Sequence, residues 1–597
     1  MTPLFDIEKV DYSYPGSAGG AISALHDINL KIEEGEFVAI IGANGSGKTT
    51  LARLLAALLI PSSGTIQIAG LNTSHKTNWS ELHRLVGMVF QNPEDQIIAN
   101  LVEEDVAFGL ENLGLPPAEI RQRVQDVLIE VGLWDERNRP PHLLSAGQLQ
   151  RLAFAGVIAM RPKSVIFDEV TTMLDPVGRQ VIMDMMKSLN HRGITVIFIT
   201  HSMEEAVQAK RVVILKDGKI LLDGSPGQVF KNSDLITSAG LEVPLPGRIA
   251  NRLRLSINDL PEGILSLDSL LSAILVIWRN RKGKTSNKPS DNLGESKNSY
   301  SVEEPLVDVF DLSHTYLQGT PLARLALDKV SLQINSNESR GLAGITGSGK
   351  STFLQHLNGI LRPQAGSVRV GSFNLNDLKV PMRSVIQLVG LVFQNPEMQF
   401  FEQYVGDEIA FGPRQLGLNV VNVVLTKETL AERVQWAMEL VGLDFLQFKD
   451  RLIYTLSGGE RRKVALASTL ALKPSLLLMD EPTAGLDPHS RRDLLQRLKD
   501  LKTGGMTIVL SSHQMEVLAE LADTLTVFSA GKTVLSGRVG DVFSDLDLIP
   551  EGTLERYGLE PPMVYQITQR LRAEDLPLPG GIRDANTLVE WLGRILV

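Results

Sequence analysis

The chain has 597 residues, 43% of them hydrophobic and 21% charged, which is the composition of a globular protein of several domains and excludes a disordered one. Its net charge of −10 argues against a polyanion as the principal ligand, while leaving room for a local basic groove. The absence of cysteine excludes disulfides, thiolate metal sites and cysteine nucleophiles, and fits a reducing compartment.

Residues 1–8 carry neither the basic segment nor the apolar core of a signal peptide. The first apolar strand, Phe37-Val38-Ala39-Ile40-Ile41, leads into Gly42-Ala43-Asn44-Gly45-Ser46-Gly47-Lys48-Thr49-Thr50. This fits the phosphate-binding loop G-x-x-x-x-G-K-[ST]. Gly42, Gly45 and Gly47 let backbone N–H groups point into one concavity at a helix N-terminus, where the dipole favours anions. Lys48 is expected to reach the β- and γ-phosphates of a nucleotide and Thr49 to ligate Mg²⁺, with Asn44 and Thr50 completing the binding set. Next come Val89-Phe90-Gln91-Asn92-Pro93-Glu94 and Leu144-Ser145-Ala146-Gly147-Gln148. A second apolar strand from Ser164 ends at Asp168-Glu169, and a third, Thr195 to Ile199, ends at Thr200-His201. Apolar strands whose C-terminal ends carry the polar motifs are what a buried parallel α/β sheet requires. The longest apolar run, Leu270 to Trp278, contains a serine and is far short of the roughly 20 apolar residues of a membrane span, so the chain is expected to be soluble and to reach a membrane only through partners.

All of this is then written again. Gly344, Gly347, Gly349, Lys350, Ser351 and Thr352 repeat the glycine loop, with Lys350 standing 302 residues after Lys48. Val392 to Glu397, including Gln394, repeats the glutamine segment at an offset of 303. Leu456-Ser457-Gly458-Gly459-Glu460, Asp480-Glu481 and Ser512-His513 repeat the later motifs at an offset of 312. Leu241-Glu242-Val243-Pro244 with Arg252-Leu253-Arg254 returns as Leu559-Glu560-Pro561-Pro562 with Arg570-Leu571-Arg572, so each half carries its own C-terminal appendage. Between the halves, 282–302 is rich in Lys, Ser, Asn and Gly. It reads as a flexible linker with a root-mean-square span of about 25 Å. The predicted organisation is α/β: two tandem P-loop NTPase domains over 1–240 and 303–545, with appendages over 241–281 and 546–597.

Two carboxylates at the end of one strand are usually a solvated strand end, but here both pairs stand at the right distance from a phosphate loop. Asp168 and Asp480 suit a position that holds Mg²⁺ through water, and Glu169 and Glu481 could orient or deprotonate the attacking water.

The ordered set resembles the ATP-binding-cassette ATPases over nearly the whole chain except the linker. Leu-Ser-Gly-Gly-Glu at 456–460 and Leu-Ser-Ala-Gly-Gln at 144–148 resemble that family's signature. The resemblance makes Gln91 and Gln394 the Q-loop glutamines, acting in catalysis and as metal ligands. It makes Asp175 and Asp487 the D-loop residues, His201 and His513 the switch histidines, and Tyr14 and Tyr316 the aromatics that stack on adenine. It further implies that the two halves pair head to tail, so that Ser457 and Gly459 serve the nucleotide held by Lys48, and Ser145 and Gly147 the one held by Lys350. The halves differ: Asp480-Glu481-Pro482-Thr483-Ala484-Gly485 faces Asp168-Glu169-Val170-Thr171-Thr172-Met173, and Ala146 replaces a signature glycine. Two competent but unequal sites are expected.

Gln91-Asn92-Pro93-Glu94-Asp95-Gln96 with Glu103-Glu104-Asp105-Val106-Ala107-Phe108-Gly109, and their counterparts from Gln394 and from Gly406, are similar to the energy-coupling-factor importer ATPases and their cobalt-type relatives. That resemblance implies ATP and Mg²⁺ as cofactors, and an integral membrane scaffold and a membrane capture protein for a vitamin or transition-metal ion as partners. It implies a peripheral place on the cytoplasmic face of the cell membrane, with no nucleic acid as ligand. Acidic residues after each Q-loop (Glu94, Asp95, Glu103, Glu104, Asp105; Glu397, Asp407, Glu408) are candidates to receive arginines of the scaffold. Two alternatives stand beside the importer: a soluble double cassette acting on ribosomes or nucleic acid, and a fused sugar-importer ATPase.

Overall fold

The computed structural model describes residues 3–15, 21–172, 174–257, 259–281, 304–320, 323–416, 419–420, 423–424, 427–544, 554–579, 582 and 584–596. The segment expected to be a linker, 282–302, lies outside the described residues. The chain divides into two compact units built on one plan.

In the first unit, five short apolar runs stack as a parallel sheet in the order Arg211–Lys216, Phe37–Ile41, Thr195–Ile199, Ser164–Asp168, Val86–Val89, with Lys219–Gly224 added antiparallel at one edge. Every residue of the three central strands is buried, which explains their continuous rather than alternating hydrophobic runs. A second, antiparallel sheet orders Ala21–Ile32, Phe5–Pro15, Ser63–Ile68 and Leu71–Asn72. These strands show the inside–outside alternation of a sheet with one buried face, and Phe5, Ile7, Ile28, Ile32 and Ile66 share a core with Val38 and Ile40 of the parallel sheet.

A helical layer of Val102–Asn112, Pro117–Glu130 and Ala146–Ala159 packs on the far side. Val106, Leu110, Val124, Leu128 and Leu152 share one core with the parallel strands. Pro117 opens its helix at a position where a missing N–H costs nothing. Ser145 caps the last helix in a capping box, its hydroxyl taking the N–H of Gln148 while the Gln148 side chain takes that of Ser145.

The second unit repeats the plan. Its sheet order is Val389–Val392, Leu476–Asp480, Thr507–Ser512, Ser339–Ala343, Thr524–Ser529, Lys532–Arg538, beside an antiparallel sheet of Arg324–Ile334, Val307–Tyr316, Ala365–Val370 and Phe373–Asn374. Val405–Gln415, Lys427–Leu440 and Gly458–Leu470 form its helical layer, and Ser457 with Glu460 repeats the capping box.

The repeat beyond each last strand is structural as well. Leu241 and Val243 reach into the core of the first half, and Leu559 and Tyr565 into that of the second. Arg254, at the end of helix Leu245–Arg254, donates to the carbonyls of Leu260 and Pro261. Arg572, at the end of helix Met563–Ala573, donates in the same way to Leu578 and Pro579. The apolar run at 270–278 lies in helix Leu267–Arg281, with Leu270 and Ile274 buried and Val276 exposed. Among the described residues no helix is long and apolar enough to cross a membrane.

Candidate functional site

In each unit the carboxyl ends of neighbouring parallel strands deliver the polar motifs to one edge of the sheet. Phe37–Ile41 opens directly into Gly42, and helix Lys48–Leu55 begins after Gly47, which takes φ 101°. Gly349 repeats this at φ 109° before helix Lys350–Leu357. A Cβ there would also lie 2.8 Å from the Ala24 carbonyl oxygen in the first loop and 2.6 Å from that of Ala326 in the second, so only glycine fits. Both lysines are buried inside their loops. Lys48 Nζ donates to the carbonyls of Gly42 and Ala43, each at 3.0 Å, and Lys350 Nζ to those of Gly344 (2.6 Å) and Ile345 (3.1 Å). Burial holds the Lys48 ammonium below its usual pKa, against the pull of Glu169 and Asp168. The hydroxyls of Ser46 and Ser348 are buried in the same loops with no hydrogen-bond partner, so each loop keeps an unsatisfied polar group beside its N–H cradle.

The Asp-Glu pairs occupy the strand ends expected of them, in a conformation that sequence reading did not anticipate. Glu169 has φ 51° and Glu481 φ 47°, in the left-handed region that side chains with a Cβ rarely adopt. The turn is held by the neighbouring strand: the Glu169 N–H donates to the Ile199 carbonyl and the Glu481 N–H to that of Ser511, both at 3.1 Å. It aims both carboxylates at the switch segments. Glu169 accepts Gln91 Nε2 at 3.1 Å and stands 2.5 Å from His201 Nε2. Glu481 accepts the backbone N–H of His513 at 3.0 Å and the Ser512 hydroxyl at 3.2 Å, and stands 2.9 Å from His513 Nδ1. The two glutamates thus meet opposite nitrogens of their histidines. Burial pushes both carboxyl groups up, but the histidine beside each, with Lys48 or Lys350, outweighs it and leaves both below the usual carboxylate range.

Asp168 behaves in the opposite sense. Burial and the adjacent Glu169 raise it to about 6, although the Thr49 hydroxyl donates to it at 3.3 Å. Asp480 is raised by burial too, against hydroxyl bonds from Ser351 and Ser511. A buried Asp-Glu pair with a threonine or serine hydroxyl beside it is a cluster of oxygen donors, a set that fits a magnesium ion.

Gln91, expected as a metal ligand, is turned to Glu169. Arg462 was missed: buried, it donates to the carbonyls of Glu481 (2.7 Å) and Gln394 (2.8 Å) and so joins the Gln394 segment to the Glu481 turn. Gln150 holds the equivalent position in the first half. The Tyr14 hydroxyl lies 3.2 Å from that of Thr50, and Tyr316 repeats the contact with Thr352 at 3.2 Å, so each tyrosine borders its phosphate loop. Ser145, Gly147, Ser457 and Gly459 stand in the helical layers, at the starts of helices Ala146–Ala159 and Gly458–Leu470, and not at the strand ends of their own halves.

Several acidic docking candidates are already committed. Asp105 accepts the N–H groups of Ile98 (2.8 Å) and Ala99 (3.1 Å), and buried Glu408 those of Phe401 (2.8 Å) and Glu402 (2.9 Å). Glu397 pairs with Arg461 at 2.6 Å and Asp407 with Arg414 at 2.9 Å. Glu94, Asp95 and Glu104 are exposed.

The ABC transporter family model matches residues 25–172 and 327–484, covering both phosphate loops and both Asp-Glu turns. A "Putative ABC transporter ATP-binding protein" of Caldanaerobacter subterraneus is 35% identical over 92% of this chain and 93% of its own length. One of Methanosarcina acetivorans with the same description is 34% identical over 97% of this chain and 92% of its own. The "Energy-coupling factor transporter ATP-binding protein EcfA1" of C. subterraneus is 46% identical, over 46% of this chain and 99% of its own length. The duplicated loops, turns and signature helices carry one conclusion: the chain belongs to the ABC transporter family, as a double-cassette ATPase that binds ATP and hydrolyses it to power transport.

Proposed function

We propose that the chain is the energy-coupling subunit of an importer of the energy-coupling-factor type, moving a vitamin or a transition-metal ion. The observation that carries this reading is the 46% identity to an energy-coupling-factor ATPase across 99% of that protein. The segments after Gln91 and Gln394 support it. In this reading 1–240 and 303–545 are the cassettes, 241–281 and 546–597 their appendages, and 282–302 the linker. The partners are an integral membrane scaffold and a capture protein, met at the cytoplasmic face of the membrane.

Within each site the residues divide the work. Lys48 or Lys350, with the loop N–H groups, binds and orients the β- and γ-phosphates, and Tyr14 or Tyr316 covers the adenine. Thr49, Gln91 and Asp168, or Ser351, Gln394 and Asp480, would hold a magnesium ion, which when bound neutralises charge on the phosphate oxygens. Glu169 or Glu481 accepts a proton from, or orients, the attacking water. His201 or His513 orients that carboxylate and contacts the γ-phosphate. Ser457 with Gly459, and Ser145 with Gly147, complete the site of the opposite half. ATP then draws the halves together because it binds the closed state better, and hydrolysis releases them.

Purification of the chain from membranes of its own organism tests the reading. Hydrophobic membrane subunits that come with it, and ATP-dependent uptake of one vitamin or metal by the reconstituted assembly, are the expected result. Ribosomes or nucleic acid in their place would sink it.

A further inference from the structure

The two catalytic turns are braced by different side chains. Glu205 lies in the short helix Met203–Ala206 after the switch histidine and is 3% exposed. Its Oε2 accepts the Thr171 hydroxyl at 2.9 Å and the Thr200 hydroxyl at 2.5 Å, while Oε1 stands 3.5 Å from Arg179 Nε. Thr171 lies two residues after Glu169, Thr200 immediately precedes His201, and Arg179 sits in helix Pro176–His191, which Asp175 caps through the Gly178 N–H at 2.8 Å. One buried carboxylate therefore joins the three segments that carry Glu169, His201 and Asp175. Burial raises the Glu205 carboxyl above its usual range, against the pull of Arg179 and the two hydroxyl donors that hold it in place.

The second half is wired differently at this place. Val517 stands at the position of Glu205, 312 residues on, and Thr483 donates to Gln514 Oε1 at 3.3 Å instead. Ser511 and Ser512 bond Asp480 and Glu481 directly. In the first half those two positions are Ile199 and Thr200, and the Thr200 hydroxyl turns away to Glu205. Among the described residues, the side chains that meet the Glu169 carboxylate are those of Gln91 and His201.

We propose that Glu205 is a positioning residue of the first ATP site, locking the Glu169 turn to the His201 strand end through Thr171 and Thr200, and that it does there what the hydroxyls of Ser511 and Ser512 do in the second site. This rests on the assignment of Glu169 and His201 as the pair that handles the attacking water. A misplacement of about 1 Å at such a pair costs on the order of 100-fold in rate. Loss of the brace should therefore appear in turnover and leave nucleotide affinity alone, because the phosphate loop lies outside it.

Turnover of the first site is read in the full chain carrying Glu481→Gln. In that background Glu205→Val, which copies the second half, should lower kcat at least 10-fold with the ATP dissociation constant within 2-fold of its parent. Glu205→Gln keeps an oxygen that accepts both hydroxyls and should stay within about 3-fold of the parental kcat. Should the valine variant fail to fold, the double replacement Thr171→Val, Thr200→Val must reproduce the kcat loss. A folded Glu205→Val, or that double variant, turning over at the parental rate overturns the proposal, as does equal loss in the valine and glutamine variants. A Glu169→Gln variant that keeps its turnover in the same background would instead overturn the assignment of Glu169 on which the proposal rests.

Discussion

Glu169 and Glu481 show how a strand end becomes a chemical group. Each is buried, held by its switch histidine below the usual carboxylate range, and fixed in a left-handed turn by a backbone bond to the neighbouring strand. Replacing both with Gln keeps the shape and the hydrogen bonding but removes the proton acceptor. Phosphate release should fall by roughly 100-fold or more, while nucleotide binding, measured by equilibrium dialysis, stays intact. Wild-type-like phosphate release would remove both residues from the catalytic role. The placing of Glu169 and His201, and of Glu481 and His513, at the ends of apolar strands was legible from the order of motifs; the contact between carboxylate and histidine was not. The left-handed turn, the Arg462 bridge and the Glu205 brace were not. Arg462 reaches a carbonyl 68 residues away and Glu205 a hydroxyl 34 away, separations that no local pattern encodes.

The strands and helices were the most legible features, since apolar runs of buried parallel strands and glycine loops at helix starts are local signals. What differs between equivalent elements was invisible. Helix Lys350–Leu357 carries His356 where helix Lys48–Leu55 carries Leu54, and both are fully buried. His356 Nδ1 lies 2.7 Å from the Thr352 carbonyl, its ring packs edge-on to His314 at 4.8 Å, and burial lowers its pKa from 6.5 to about 4. The folded value lies below the unfolded one, so the unfolded chain takes up the proton first. Stability is therefore full above about 6.5, falls as the pH drops, and stops falling from this source near 4. The difference is worth about 3 kcal/mol. His356→Leu should flatten that acid limb: between pH 7 and 5 the melting temperature of the second half should drop less than in the parent. An unchanged acid limb would show that His356 is not the group responsible. The glycine before each helix admits a similar test. Gly349→Ala meets a carbonyl and an unfavourable φ together, and should abolish ATP binding at the second site while the first site still binds. Retained binding at both sites would mean that the loop can relax.

A duplicated chain whose two sets of motifs are both present, yet differently wired, raises the question of which residues serve which nucleotide. Ser145 and Ser457 cap helices in the helical layers, while the lysines, Asp-Glu turns and histidines gather at the strand ends. The head-to-tail pairing proposed above gives each signature to the nucleotide of the other half. The pairing has a consequence that contact within one half does not. Ser457→Arg should damage the site held by Lys48, and Lys48→Ala should damage the same site, so the double variant should cost little more than either change alone. Two residues that act on one step are strongly non-additive, whereas residues serving separate sites add within about 0.5 kcal/mol. The measurement is single-site turnover with Glu481→Gln silencing the other site, compared across the four members of the cycle. Additive losses, or a Ser457→Arg effect confined to the site of Lys350, would contradict the pairing and return each signature to its own half.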